Sequence, residues 1–213
     1  MNETTTREKI FKSIRNALIE KVQVPFPNME VESSVFVPSK DSLDVSFAQE
    51  FTKVSGKFIY CEDESEMAEK LKFLIEQNKL EEVYCIEDRL KSLLSEHGIL
   101  LNATPNDFTK VKVGITHCEF LISRLGSIMV SSRQLSGRRL NVYPEIHIVI
   151  AYTSQLVPDL KDAFVQLKAK YQNVLPSMVT VITGPSRTAD IEKTLVMGAH
   201  GPKELYVLLV ENN

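Results

Sequence analysis

The segment after Ile182 carries residue types suited to binding an anion. An apolar run ends at this residue and is followed by Gly184, Pro185, Ser186, Arg187 and Thr188. In open α/β sheets, ligands bind beyond the carboxyl ends of strands, where turns of this kind lie. Two hydroxyl groups, a guanidinium and free backbone N–H groups can donate hydrogen bonds to a negative charge. We therefore predict that these five residues, with Glu192 further along, contact a small anionic ligand.

A structural interpretation of the same segment stands beside the functional one. The apolar spacing predicts a helix over 188–197. Ser186 or Thr188 would then cap that helix, and Asp190 would itself occupy the positive end of the helix dipole. Basic and acidic residues are also balanced here, whereas a phosphate cradle is usually more positive. Both interpretations remain open at this point.

The connection after the predicted helix contains the best candidate for acid–base chemistry. His200 lies between Gly198 and Gly201, where an imidazole would be accessible to a ligand. Histidine is the side chain that most readily exchanges a proton near neutral pH, so we predict a catalytic role for it, with Asp190 orienting it. A surface histidine without a function is the alternative interpretation.

A second polar region contributes a third glycine-bearing segment. Gly126 and Ser127 begin an apolar run, and a glycine there lets the backbone come close to a ligand. Glu145 and His147 lie two residues apart and would share one face of a strand. A metal ion needs further ligands, and the other candidates, His117, Glu119 and His200, are distant in sequence. We therefore predict no metal site.

Several functional classes lose their usual support. The sequence has no G-x-S-x-G, no phosphate-binding P-loop and no G-x-G-x-x-G motif. Its three cysteines, Cys61, Cys85 and Cys118, form no C-x-x-C pair. Iron–sulfur clusters usually need four thiolates in close motifs, so we expect no cofactor in this chain and interpret the cysteines as buried strand residues.

Composition indicates a globular protein. The chain has 213 residues, 43% of them hydrophobic and 25% charged, with a net charge of −3. This balance argues against a general nucleic-acid binder. No apolar run approaches the roughly 18 residues of a membrane span, and the first residues lack the apolar core of a secretory signal. We expect a cytoplasmic protein, and the sequence is compatible with a homo-oligomer.

The elements that must position these residues alternate along the chain from about residue 47. Apolar runs typical of strands cover 57–61, 82–86, 99–101, 111–115, 120–122, 127–130, 146–151, 178–182 and 205–210. Helical patterns lie between them, one of them over 63–77 with Asp63 as N-cap. Alternation of this kind predicts βαβ units. The predicted fold is a three-layer α/β sandwich with a mainly parallel sheet.

The first 45 residues differ from the rest. Ile10, Ile14 and Leu18 form the stripe of an amphipathic helix. A stretch with Pro25, Pro27 and Pro38 follows, and proline is incompatible with a helix interior. We predict an N-terminal helix and proline-containing arm over 1–45 and an α/β domain over 46–213.

Three blocks of sequence resemble the LUD domain family, in particular its lactate utilization protein C group. They are the run 183–192 (TGPSRTADIE), the run 198–204 (GAHGPKE) and the segment 114–151. The resemblance implies the NagB/RpiA/CoA-transferase-like fold. It also implies an accessory role beside two partner proteins that oxidise L-lactate to pyruvate, with iron–sulfur clusters only in those partners. Arg124, where the family usually has an acid, and Glu145, in place of a proline, depart from the pattern.

Two other functional classes remain open beside this one. The chain would be a stand-alone binder or enzyme for a small phosphorylated, CoA-like or folate-like ligand, or it would be a non-catalytic interaction module in which the glycines only shape the backbone. Whether the chain is an enzyme is left open by the sequence.

Overall fold

The computed structural model describes residues 5–19, 40–102, 105–136, 138–188, 196–198 and 200–212. The chain divides into two units, Met1–Pro38 and Ser39–Asn213. In the first unit, helix α1 (Thr6–Ile19) leaves its apolar side chains exposed. The predicted proline-containing stretch lies mostly outside the described residues, and the predicted boundary after residue 45 stays a prediction.

The second unit consists of alternating strands and helices. In chain order these are α2 (Leu43–Lys53), β1 (Lys57–Cys61), α3 (Glu64–Gln77), β2 (Val83–Tyr84), α4 (Asp88–Glu96), β3 (Val113–Thr116), β4 (Phe120–Ile122), β5 (Ser127–Ser131), β6 (Ile146–Tyr152), β7 (Leu156–Val157), α5 (Leu160–Lys170), β8 (Val179–Ile182), β9 (Arg187–Thr188), β10 (Val196–Met197) and β11 (Glu204–Val210). No helix in the described ranges has the length and apolar character needed to span a bilayer.

A five-stranded parallel sheet is the centre of this unit. Its strand order is β1-β11-β6-β3-β2, and every neighbouring pair runs parallel. The central strands β6 and β11 are buried along nearly their whole length. Strands covered on both faces are almost continuously apolar, as both sequences are. All five carboxyl ends therefore lie at one end of the sheet.

Helices α3 and α4 cover one face of this sheet. Met67, Leu71 and Leu74 recur at helical spacing on α3 and are buried. The predicted N-cap is confirmed, since the Asp63 side chain accepts a hydrogen bond from Glu66 N at 2.8 Å. That bond satisfies one of the free N–H groups of the first turn.

Helix α2 and a second sheet cover the other face. The second sheet has the order β7-β4-β5-β8 and is mainly antiparallel. Phe47 and Phe51 of α2 stack at 5.2 Å and pack with Leu121, Val149 and Val207. Helix α5 packs on the outer face of the second sheet. The three-layer α/β sandwich with a mainly parallel sheet is thus confirmed.

Two predicted elements differ from the structure. The predicted helix 188–197 is wrong at both ends, because Thr188 and Val196 pair as antiparallel strands β9 and β10. Both residues are β-branched and favour extended backbone. Residues 189–195, with the predicted site residues Asp190 and Glu192, lie outside the described residues. The predicted strand 99–101 is wrong, because these residues have no strand pairing and only the next residue, Asn102, forms an isolated bridge, to Tyr84.

Candidate functional site

The three predicted glycine-bearing segments lie next to one another. Ser186 N donates to the Pro202 carbonyl at 2.8 Å, and Gly198 N donates to the Ser186 carbonyl at 2.9 Å. The Ser127 hydroxyl, fully buried, lies 2.8 Å from that of Thr183. The segments therefore meet, while their role as ligand contacts stays a prediction.

Residues 184–186 and 200–202 of two of these segments border a small recess, the glycine-loop pocket, whereas Gly126 and Ser127 are not among its lining residues. It has a volume of about 140 Å³ and lies at the amino ends of β6 and β11. Its lining includes Asn141, Ile182, Gly184, Ser186, His200 and Gly201. Pro185 also lines the pocket, and His200 is exposed at its rim. For Thr188 the structure describes only the backbone.

Two of the predicted ligand-binding glycines are also needed for packing. Gly126 has φ +55°, and a Cβ there would lie 2.3 Å from the backbone nitrogen of Phe51. Gly184 has φ +76°, and a Cβ there would lie 2.3 Å from the Val54 carbonyl oxygen. Only glycine takes such a backbone at low cost. These positions let the end of α2 approach the second sheet.

Arg187 bonds to the residues that follow α2. Its guanidinium donates to the Val54 carbonyl and, at 2.9 Å, to the Ser55 hydroxyl. A cation at a helix C-terminus compensates free carbonyl groups and the negative end of the dipole. This geometry gives Arg187 a structural role that its sequence context did not indicate.

Asn141 is a buried polar residue that the sequence reasoning missed. It is 4% exposed and lines the glycine-loop pocket. Within the part of the chain that the structure describes, its Oδ1 has no hydrogen-bond partner. It lies in an irregular polar loop, where no spacing marks it.

A second and larger recess, the carboxyl-edge cleft, lies at the other end of the central sheet. It has a volume of about 660 Å³. Glu64, Glu87 and His117 follow β1, β2 and β3, and Tyr152 ends β6. Two adjoining recesses share Glu64 and Tyr152 with it. Because carboxyl ends of parallel strands form the usual ligand site of α/β folds, this cleft is a candidate functional site.

His117 is held in one tautomer in this cleft. Its Nδ1 lies 2.9 Å from the Ile150 carbonyl oxygen, which can only accept, so Nδ1 carries the proton. Its backbone N–H donates to Glu87 Oε2 at 2.7 Å. The second carboxylate oxygen of Glu87 accepts from the Ser136 hydroxyl at 2.7 Å. Nε2 of His117 is therefore the nitrogen available to take a proton from a ligand.

Tyr152 and Glu64 form a polar pair beside His117. The Tyr152 hydroxyl donates to Glu64 Oε1 at 2.7 Å. Burial, with the Glu64 bond as a second cause, raises the pKa of Tyr152 to about 12. The phenol therefore stays protonated at neutral pH and acts as a donor. The rings of His117 and Tyr152 lie 5.9 Å apart.

The buried carboxylate of Glu119 holds the side chain of Lys170 at the margin of the cleft. Glu119 is 1% exposed and accepts from Lys170 Nζ at 2.7 Å, from the Tyr171 hydroxyl at 2.8 Å and from the Ser131 hydroxyl at 2.6 Å. Burying a charge requires such partners. Lys170 is thus committed to Glu119 and contributes little charge to the cleft.

The two residues that depart from the family pattern, Arg124 and Glu145, each form an ion pair. Arg124 donates to the two carboxylate oxygens of Asp159 at 2.8 and 2.7 Å, and Asp159 is the N-cap of α5. The guanidinium lowers the pKa of that carboxyl. Glu145 forms an ion pair with Lys203 at 2.9 Å. Arg124 thus ties the start of β5 to α5, while Glu145 lies in an exposed pair.

The three cysteines are free and buried. Burial raises the pKa of the Cys61 thiol to about 11 and of the Cys85 thiol to about 12, and it also raises the pKa of Cys118. The thiols therefore stay protonated. Across the residues that the structure describes, no three histidine, cysteine or carboxylate groups could hold a metal ion together.

The carboxyl-edge cleft was also missed by sequence reasoning. His117 was noted only as a distant metal candidate, and Glu64, Glu87 and Tyr152 were not noted. A usable signal existed, since each stands at or soon after the end of a predicted strand.

Comparison with known proteins identifies a family whose sequence pattern this chain matches. A family model described as LUD domain matches residues 46–210. The lactate utilization protein C of Bacillus licheniformis is 31% identical over 146 residues, which cover 59% of this chain and 60% of that protein. The lactate utilization protein C of Bacillus subtilis is 36% identical over 103 residues, covering 47% of this chain and 43% of that protein. The chain thus spans about half the length of these curated relatives.

One solved structure resembles the fold. The crystal structure of a DUF162 family protein from Deinococcus radiodurans has a TM-score of 0.57 and 17% sequence identity, and covers 79% of this chain and 96% of that chain. At this identity the similarity concerns the fold alone.

Proposed function

Since the chain belongs to the LUD domain family, as its glycine motifs predicted, we propose that it is a component of a lactate utilization system. The observation that carries the proposal is the family match over 46–210, together with relatives that bear the name lactate utilization protein C.

The proposed role is accessory, with the redox step carried out by partner proteins that hold iron–sulfur clusters. Cluster ligands are thiolates, and burial raises the pKa of all three thiols here. A protonated, buried thiol is a poor ligand and a poor nucleophile. The protonated, buried thiols support the proposal that this chain assists lactate oxidation without transferring electrons itself.

Growth of the source organism tests this function. Deletion of the gene should abolish growth on L-lactate and leave growth on pyruvate unchanged, and the wild-type gene should restore it. A variant with Cys61, Cys85 and Cys118 all changed to alanine should also restore growth, provided that its thermal unfolding shows a folded protein. If the folded variant fails, the thiols take part in the reaction and the accessory role is wrong.

Co-purification tests the partners. A tagged chain isolated from cells grown on L-lactate should bring down proteins with cysteine-rich motifs and the absorbance of iron–sulfur clusters. Lactate oxidation by the isolated chain, without such proteins, would reverse the proposal.

A second candidate function is a stand-alone enzyme or binder for a larger ligand. The carboxyl-edge cleft favours it, because about 660 Å³ lies within the 300–1,000 Å³ typical of cofactor and ligand sites. His117 Nε2 would act there as proton acceptor. Thermal-shift screening of phosphorylated sugars, CoA and folates against wild type and His117→Gln tests this role. A ligand that stabilises only the wild type would support it.

A further inference from the structure

We propose that helix α1 binds the surface of a bilayer that contains anionic phospholipids, with its apolar stripe toward the acyl chains and its basic side chains toward the headgroup phosphates. The inference goes beyond the proposed function and does not depend on it, because it rests on the residues of this helix alone.

The apolar side chains of α1 lie along one side of the helix and are exposed. Ile10, Ile14 and Leu18 follow one another at intervals of four residues, and Phe11 stands beside them. Their exposed fractions run from 48% for Ile14 to 75% for Leu18. Within the part of the chain that the structure describes, no residue of α1 is buried. A helix of 14 residues without tertiary packing is marginal in water, so a surface that takes up the stripe would stabilise it.

The charged side chains of α1 are mainly basic. The helix has one acidic residue, Glu8, and four basic ones, Arg7, Lys9, Lys12 and Arg15. Glu8 is engaged at the start of the helix, where its Oε2 accepts from Thr5 N at 2.8 Å and from the Thr5 hydroxyl at 3.1 Å. In the described ranges, none of the basic residues of α1 forms an ion pair. Anionic headgroups would supply the missing counter-charge.

The basic residues surround the apolar stripe in the way that an interfacial helix requires. At 100° per residue, Lys9 and Lys12 lie on the side opposite the stripe and Arg15 lies at its border. Arg7 is on the stripe side, with its guanidinium 5.5 Å from the centre of the Phe11 ring. A long basic side chain can cover apolar surface and still place its charge among phosphates. This pattern is typical of helices that lie in the plane of a bilayer surface.

A second copy of the helix suits the stripe less well than a bilayer. In a coiled coil the seam would pass through Phe11, Ile14 and Leu18 at heptad spacing, and Arg7 would occupy the preceding seam position. Stable seams are sustained over about three or four heptads, whereas the 14 residues of α1 supply two. A bilayer surface requires no register and accepts Arg7 at the headgroup level.

Co-sedimentation of the full chain with vesicles tests the proposal. Vesicles of phosphatidylglycerol should bind the chain. Vesicles of phosphatidylcholine should bind it at least about tenfold more weakly, because each basic residue near an anionic surface strengthens binding about fivefold. Added salt should weaken binding to phosphatidylglycerol, since ions screen exposed charges. Equal binding to both lipids, or no binding to phosphatidylglycerol, would overturn the proposal.

Two variants assign the binding to α1. Changing Lys9, Lys12 and Arg15 together to glutamine should weaken binding to phosphatidylglycerol about 100-fold. Ile14→Gln combined with Leu18→Gln should weaken it about tenfold or more, because the stripe then buries less apolar surface. Neither variant changes a buried residue, so thermal unfolding should match that of the wild type.

Matched controls come from exposed residues of the α/β domain. Changing Lys79, Lys161 and Lys168 together to glutamine removes the same charge as the basic variant. Val165→Gln changes an apolar residue of α5 that is 59% exposed. Both controls should bind phosphatidylglycerol as the wild type does. If the lysine control lost as much binding as the α1 variant, the charge of the whole protein would be responsible and the assignment to α1 would be wrong.

A protein occupant of the stripe would give a different result. In that case Ile14→Gln with Leu18→Gln would dissociate a dimer in analytical ultracentrifugation, or would abolish co-purification of partner proteins, while vesicles bound the variant as well as the wild type. Either outcome would make the stripe a protein interface and overturn the proposal.

Discussion

The carboxyl-edge cleft and the glycine-loop pocket lie at opposite ends of the strands of the central sheet and differ in how they are built. Side chains that follow separate parallel strands, such as Glu64, Glu87 and His117, form the cleft. Loops line the pocket, and their neighbouring glycines allow close contact with α2. The difference shows that a glycine motif can mark close backbone packing even where it also borders a recess.

A histidine of the cleft and a histidine of the core differ in their exposure. His117 is half-buried, and among the described residues only its Nδ1 has a hydrogen-bond partner. His147 is fully buried beside the start of β6, with Nε2 2.8 Å from the Thr116 hydroxyl. Burial lowers the pKa of His147 to about 3. The first lines a cleft, whereas the second is a neutral core residue.

The largest expected effect comes from closing the space at Gly126. Gly126→Ala puts a Cβ 2.3 Å from the Phe51 backbone nitrogen at a residue with φ +55°. Strain and the shift of α2 together should cost about 3 kcal/mol or more. Urea unfolding measures the loss.

Gly98→Ala is the matched control for this prediction. Gly98 also has a positive φ, +71°, but its nearest neighbour is the flexible Lys72 Nζ at 3.6 Å. Only the backbone cost of about 1 kcal/mol should remain. A loss at Gly126 no greater than at Gly98 would mean that α2 does not need this glycine.

Acid should destabilise the protein through His147. Its pKa is about 3 in the folded state and about 6.5 when unfolded, so the unfolded chain takes up a proton that the folded chain does not. The stability that a neutral His147 confers is present above pH 6.5 and is lost as pH falls. Between pH 7 and pH 5 the free energy of unfolding should drop by about 2 kcal/mol from this residue.

Urea titrations at several pH values check this, with His147→Gln as the control. Glutamine does not titrate and can still bond to the Thr116 hydroxyl. Between pH 7 and pH 5 the free energy of unfolding of the variant should therefore fall by about 2 kcal/mol less than that of the wild type. Parallel curves for the two proteins would contradict a neutral buried His147.

Local signals in the sequence predicted most of the fold. Strand β1 and the cap at Asp63 follow from an apolar run and an N-cap residue that each act within a few positions. The prediction of a helix over 188–197 was wrong because the structure there depends on pairing between two segments. Thr188 pairs with Val196 as an antiparallel strand. The spacing of apolar residues alone does not predict this pairing.

The sites were less predictable, because they depend on strand order. Tyr152 and Glu64 are 88 positions apart and meet only because parallel strands align their carboxyl ends. Asn141 lies in an irregular loop, where its burial depends on the loops that fold over it. The family motif includes residues that line the glycine-loop pocket. It gives no indication that Asn141 is buried there.

Removing the tyrosine hydroxyl in the cleft should have a moderate effect. Tyr152→Phe deletes the bond to Glu64 and should cost about 1 kcal/mol of stability. Tyr60→Phe, which deletes a bond to Glu211 in an exposed pair, should cost much less. Thermal unfolding of both variants gives the comparison. Equal costs would show that the Tyr152–Glu64 pair is no more than a surface contact.

The smallest expected effect decides what Arg187 does. Its guanidinium donates to the Val54 carbonyl and the Ser55 hydroxyl after α2, so Arg187→Ala should lower stability by about 0.5 kcal/mol, a value limited by the exposure of Arg187 to solvent. Urea unfolding measures this loss. Arg187→Lys keeps the charge on a shorter side chain that does not reach the position of Nη2, the nitrogen that makes both bonds, and should recover only part of the stability. Unchanged stability in Arg187→Ala would contradict this structural role and would favour the ligand contact that its sequence position predicts.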